Sequence, residues 1–334
     1  MDQSSPMVHF PGGSSRAQGQ MSLAFYDANY DLIFFRELRP GKREALGSKS
    51  PRKCRFCAGE PPETSFKAKT HAVSRLTGNN VLLTYEECSS CNEIFAKVED
   101  DLGKFTLPGR TFDQVSGYQK IPSLKVPTGR MDMRPGNLRI EVDPATMGQT
   151  ISDDAENHRL TISVPMQPYR PLGVYKALVK MALTVMPSGE LGAFQQSLRW
   201  LATDGVEENA ATDGIGALCI QTFCAKVYRF PIVRLLRGKP MSSTASYATF
   251  VLCFGSNTYQ IFIRADGDDE SREGNLVLQA FPPAQLVSDR SAEDWVDVGV
   301  VSLASPEKVT GSVWKRSFTY QKRVEPETSP DSTS

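Results

Sequence analysis

The chain has 334 residues, with Lys and Arg balanced against Asp and Glu at 38 each. This length suits two domains and a sizeable core, and the neutral balance gives the whole molecule no pull on a polyanion. No run approaches the roughly 18 consecutive apolar residues of a membrane span, and the first residues lack the basic-then-apolar order of a secretory signal.

Seven cysteines, four of them in metal-binding spacing, argue against a disulfide framework and for a reducing, cytoplasmic setting. Residues 1–21, rich in Ser, Gly and Gln, are expected to form a disordered tail, with Met21 a second candidate start. Residues 22–50 are expected to hold a short hairpin, turning at Asp27-Ala28-Asn29, and a basic linker. Between Arg36 and Arg55 stand Arg36, Arg39, Lys42, Arg43, Lys49, Arg52, Lys53 and Arg55, against Glu37 and Glu44. Such a stripe reads equally as a phosphate contact or as a solvated linker.

Residues 51–110 are the most informative. Cys54-Arg55-Phe56-Cys57 and Cys88-Ser89-Ser90-Cys91 flank thirty residues. Paired thiols at this spacing suit a tetrahedral structural Zn²⁺ bound by Cys54, Cys57, Cys88 and Cys91, whereas a redox pair is the weaker reading. The insert carries His71, one of only three histidines, and the turn-forming pair Asn79-Asn80. Val81–Tyr85 reads as a strand, and Ile94, Phe95, Val98, Leu102 and Phe105 repeat at helical steps after Cys91. Asn92 suits a helix cap, and Glu99, Asp100 and Asp101 a solvated helical face.

Residues 111–323 read as an α+β, β-rich region. Strands are expected at Leu138–Val142 and Leu160–Val164, and helices at Val174–Val185 and Leu191–Leu201. Then come a hairpin of Tyr247–Phe254 and Tyr259–Arg264 around Gly255-Ser256-Asn257, and strands at Asn275–Phe281, Val296–Leu303 and Ser312–Tyr320. Cys219, Cys224 and Cys253 sit in apolar runs as core thiols, and His9 and His158 stand apart from other catalytic residue types. Residues 324–334 read as a disordered tail. No phosphate-binding glycine loop is present.

Over about residues 54–105 the constellation Cys54-x-x-Cys57, His71, Asn79-Asn80 and Cys88-x-x-Cys91-Asn92 resembles the HNH endonuclease family, in its zinc-knuckle branch. The resemblance implies a treble-clef-like, zinc-bound ββα module that hydrolyses phosphodiester bonds in DNA, with RNA left open as a substrate. It places His71 as the general base that deprotonates water, and its near-neutral pKa suits the task. It places Asn79 or Asn80, with Asn80 the expected match, as the residue holding the histidine loop. A catalytic Mg²⁺ or Mn²⁺ is implied, bound at Asn92 and at the position of Thr70. Thr70 stands where the family commonly carries an acid or a histidine, and Ala96 where some members carry a further histidine ligand. A hydroxyl is a poor partner for a hard divalent ion. A zinc module that has lost cleavage and binds nucleic acid or protein is the alternative expectation.

Overall fold

The computed structural model describes residues 8–9, 16–67, 69–117, 120–126, 129–134, 137–207, 217–242, 244–266, 276–283 and 296–319. In chain order the elements are β1 (Val8–His9), α1 (Arg16–Asn29), β2 (Tyr30–Glu37), β3 (Glu44–Leu46), β4 (Leu82–Thr84), α2 (Ser89–Phe112), β5 (Leu124–Val126), β6 (Gly129–Arg134), β7 (Asn137–Val142), α3 (Met147–Thr150), β8 (Ile151–Asp154), β9 (Arg159–Pro165), α4 (Pro171–Val185), α5 (Gln195–Ala202), β10 (Leu218–Gly238), β11 (Ala248–Ile263), β12 (Val296–Ser302) and β13 (Val313–Thr319). The fold is mixed α+β. The expected C-terminal tail lies outside the described residues, as does most of the N-terminal one.

β10 organises the largest sheet. Along one edge it pairs antiparallel with β11; along the other, Leu218–Cys224 takes β12 and Ile232–Gly238 takes β2. α4 packs against this sheet and against α2. Pro171 opens α4 at a position where its missing N–H costs nothing. All fifteen residues from Pro171 to Val185 are buried, Lys176 and Lys180 among them, so α4 lies wholly inside the core.

One core cluster joins Cys54, Phe56, Phe95 and Leu102 to Leu172, Leu178, Val233, Phe250 and Leu303. The cysteine segment and the C-terminal region therefore share a core, and α2 runs continuously through residue 110 to Phe112.

Four expectations need correction. Residues 22–29 are helical rather than the first arm of a hairpin. Ser22, Tyr26 and Tyr30 recur at four-residue steps and are all buried, and the supposed turn residue Asn29 donates its side-chain amide to the Phe25 carbonyl, closing the helix. With β1 paired to β12 and α1 starting at Arg16, the N-terminal segment is not uniformly a tail.

The expected hairpin at Tyr247–Arg264 is a single strand, β11. Gly255-Ser256-Asn257 forms an irregularity rather than a turn because Asp113, at the end of α2, grips it. Its carboxylate accepts from the Ser256 amide at 2.8 Å, the Ser256 hydroxyl at 2.7 Å and the Asn257 amide at 3.2 Å. Gly255 has φ +58°, and a Cβ there would lie 2.5 Å from the Asp113 carboxylate.

Residues 276–281 are irregular rather than a strand, Asn275 lying outside the described residues. The strands at β7, β9, β12 and β13 follow the expected positions.

Asp113 also pairs with Arg316 of β13 at 2.8 Å, and both side chains are buried. Burial draws the Arg316 guanidinium below its usual pKa, opposed by Asp113, and Phe223 lies 4.0 Å from it. Asp113→Ala would strand that cation and free the β11 irregularity. The expected loss is about 3–5 kcal/mol, read by denaturant unfolding.

Candidate metal centre and histidine loop

The first cysteine pair lies on a tight knuckle, where the Ala58 amide donates to the Cys54 carbonyl at 2.9 Å and the Cys54 amide to Gly59 at 2.8 Å. The second pair starts α2: the Cys88 sulfur caps the helix, accepting from the Cys91 amide at 3.4 Å. All four sulfurs lie within 4.8 Å of one another. The Cys54–Cys91 and Cys57–Cys88 separations are 3.8 and 3.7 Å. A tetrahedron with Zn–S bonds of about 2.3 Å has edges of about 3.8 Å, so the thiols fit a metal such as zinc.

Hydrogen bonding from Cys91 and from backbone groups draws the Cys54 thiol down to about 4, against the opposing effect of burial. The same coupling raises Cys91, and burial pushes Cys88 up to about 11. Four sulfurs this close can all be deprotonated only beside a compensating positive charge, which a divalent cation would supply.

Phe56 of the knuckle meets Phe95 of α2 edge-on at 4.6 Å. Arg55 reaches out of the knuckle to the carbonyls of Leu183 and Met186 at 2.8 and 2.5 Å, and pairs with Glu86. It thereby satisfies the open carboxyl end of α4.

Between the knuckles, residues 70–72 run antiparallel to β4. The Ala72 amide donates to Leu82 at 3.2 Å, the Thr84 amide to Thr70 at 3.1 Å, and His71 stands opposite Leu83. β3 pairs with β4 in parallel. The loop between the two arms is closed from within by Asn79, which is 0 % exposed. Its amide donates to Val73 at 2.6 Å and Leu82 at 2.9 Å, and its oxygen accepts from the Val81 and Leu82 amides at 3.1 and 2.9 Å. Asn80 is exposed and touches Arg75 and Gly78 instead. Gly78, at φ +100°, turns the chain so that the first of the adjacent asparagines points inward. Asn79→Ala would leave several buried backbone groups unpaired. A loss of about 3 kcal/mol in chemical denaturation is expected, whereas Asn80→Ala should cost under about 0.5 kcal/mol.

His71 is partly buried. Desolvation lowers its pKa to about 4, helped by the positive charges of Arg75, Lys180, Arg43 and Lys69. The imidazole is therefore neutral at physiological pH and sits in a field that favours an anion.

The remaining expected residues are placed differently. Thr70 is 2 % exposed and its hydroxyl donates to the Thr84 carbonyl at 2.9 Å, so it is committed to the strand pair. Asn92 lies half-buried in the first turn of α2. Among the described residues, the four cysteines are the only group of three or more His, Cys, Asp or Glu close enough to share an ion. Among the described residues, Thr70 and Asn92 join no second group of this kind.

Of the basic run, Arg36, Arg39, Lys53 and Arg55 are paired with Glu44, Glu37, Glu60 and Glu86. Arg43 is the member whose charge reaches His71. Two members of the supposed solvated acid face are drawn into the fold, while Asp100 stays exposed in a pair with Lys104. Asp101 accepts from the Arg170 amide at 3.0 Å and its guanidinium at 2.9 Å, and Glu99 from the Ser74 hydroxyl at 2.5 Å. Asp101 shares the phase of Val98, Leu102 and Phe105, a sign in the sequence that it needs a buried partner. Lys176 and Lys180, four residues apart in an otherwise apolar helix, carry the same signal. Cys219, Cys224 and Cys253 are buried. No helix among the described residues is long and apolar enough to cross a membrane.

No family model, curated protein or solved structure matches the chain.

Proposed function

We propose that the chain is a nuclease of the HNH kind, cleaving phosphodiester bonds in DNA with His71 as general base on a zinc-bound scaffold. The observation that carries this reading is the loop itself. His71 lies on a strand whose return to β4 is closed by the side chain of Asn79, and β4 leads directly into a helix capped by the cysteine cluster. This strand–loop–strand–helix order suits a site in which an asparagine holds the loop beside the histidine strand and a metal would hold the start of the helix. Zinc, bound by Cys54, Cys57, Cys88 and Cys91, would supply folding energy and no chemistry.

The chain's own groups suggest the following division of work. A neutral imidazole accepts the proton of an attacking water. Arg43, Lys69 and Arg75 draw the phosphodiester toward it and offset charge that grows on the phosphoryl oxygens. Thr70, tied to Thr84, offers no free donor to a catalytic divalent ion, so the proposed steps use the chain's own groups alone.

The test is nicking of supercoiled plasmid by the full chain, with Mg²⁺, Mn²⁺ or EDTA, against His71→Ala. Cleavage by the native protein, reduced about 10²–10⁴-fold in the variant, is expected. Equal rates would remove His71 from the mechanism. The absence of cleavage under all conditions would favour the second reading, a zinc module that binds nucleic acid without cutting it. The commitment of Thr70 to the strand pair supports that second reading.

The pH profile follows from the depressed imidazole pKa. In the free protein His71 stays unprotonated as pH falls until about 4, so the acid limb of kcat/KM should lie below the ordinary histidine range. A bound phosphodiester supplies negative charge, favours the protonated imidazole and should move the acid limb of kcat upward. An acid limb of kcat/KM near 6.5 would contradict this account of the site.

A further inference from the structure

We propose that Lys180, carried by α4 outside the cysteine segment, is the positioning residue that sets His71 in place. The inference rests on the reading of His71 as a base. Lys180 is 2 % exposed in a wholly buried helix. Its ammonium lies 3.0 Å from the Glu87 carboxylate and 3.6 Å from that of Glu99, and 5.4 Å from the Phe95 ring centre. It also donates to the backbone carbonyl of His71 at 3.1 Å.

These contacts tie together the residue before Cys88, the middle of α2 and the His71 strand. The next residue of α4 adds a second hold, since the Ser74 amide lies 3.3 Å from the Met181 sulfur. Ser74 in turn donates to Glu99, so the loop is fixed at residues 71 and 74 from the same stretch of α4.

Stability alone is a poor reason for this arrangement. Well-packed apolar residues in place of a buried ion pair are often neutral or stabilising, because desolvation offsets the attraction. The direct contact to the histidine's own carbonyl gives the ammonium another use: it fixes where that strand lies. Misplacing a catalytic group by about 1 Å can cost on the order of 10²-fold in rate.

The experiment compares the full chain with the double variant Glu87→Gln/Lys180→Met, which removes both buried charges together and strands neither. Three readouts are taken: bound zinc with the melting curve, the imidazole Cε1–Hε1 resonance of His71 in histidine-labelled protein, and kcat and KM for plasmid nicking. His71→Gln assigns the resonance among the three histidines.

Retained stoichiometric zinc and a cooperative melt are expected, with a shifted or doubled His71 resonance. A kcat lower by about 10–100-fold at unchanged KM is expected with them. An unmoved resonance with native kcat in the zinc-loaded variant would overturn the proposal. If the native chain does not cleave, the nuclease reading fails on its own, and the resonance decides the role of Lys180. If the double variant does not take up zinc, Lys180→Arg, which keeps the charge but changes the donor geometry, is read in the same way.

Discussion

Cys88→Ser is expected to remove stoichiometric zinc and to melt the segment between the knuckles. Among the described residues, the span from Cys54 to Cys88 contains one three-residue strand and a single 3₁₀ turn, so little regular hydrogen bonding holds it. Its order depends on the sulfur cluster, the strand pair around His71 and the internal bonds of Asn79. Structural zinc supplies on the order of 10 kcal/mol to such segments, more than the net stability of many domains. Serine is itself a favoured helix cap, so the substitution removes the sulfur ligand while a hydroxyl can still accept from the Cys91 amide at the start of α2. Zinc content and amide exchange of residues 70–84 give the readout. Cys219→Ala is the control. That thiol is buried in β10 and pushed up to about 12 by burial, so its loss should leave zinc content unchanged. Native exchange protection in a zinc-free Cys88→Ser would show that the sulfurs do not hold the loop.

Residues 51–112 expressed alone are expected not to fold, even with zinc supplied. The buried face of α2, formed by Val98, Leu102 and Phe105, shares its core with Leu172, Tyr175 and Leu178 of α4. Polar contacts tie the same pair at three levels: Asp101 to Arg170 at the start of α4, Glu87 and Glu99 to Lys180 in its middle, and Arg55 to the carbonyls at its end. Gly173 marks how close the helices come, since a Cβ there would lie 2.3 Å from the Asp101 carboxylate. Burying a large apolar side chain contributes about 1.5–3 kcal/mol, so removing α4 costs on the order of 10 kcal/mol or more and leaves Glu87 without its counter-ion. Circular dichroism and a proton–nitrogen correlation spectrum of the fragment supply the test. A cooperative melt with dispersed amide resonances would show that the segment folds by itself.

The cysteine cluster was legible in the sequence because its chemistry is local. A two-residue spacer already sets the sulfurs of each pair close together, and only the meeting of the two pairs needed the fold. The choice between Asn79 and Asn80 was not legible, since adjacent asparagines carry the same side chain. What separates them is the backbone turn at Gly78, a property of φ rather than composition. β11 was misread for a related reason. Gly-Ser-Asn is turn chemistry, but a carboxylate from α2, 142 positions before Gly255, supplies the hydrogen bonds that the turn would have made. In α1 the aromatic residues favour a strand, while Ser22 and Tyr26, four residues apart and both buried, mark the inward face of a helix that ends at Asn29. The charged residues of α2 and α4 were legible in principle. An aspartate in the phase of a core stripe and two lysines inside an apolar helix each demand a buried partner, but joining Asp101 to Arg170, Lys180 to Glu87 and Lys176 to the carbonyls of Thr203 and Gly205 requires the fold.

X-ray absorption at the zinc edge of the purified full chain tests the central claim most directly. The account predicts stoichiometric zinc with four sulfur neighbours at about 2.3 Å and no nitrogen or oxygen in the inner shell. Protein without zinc, or zinc bound by light atoms in place of any of the four sulfurs, would contradict it.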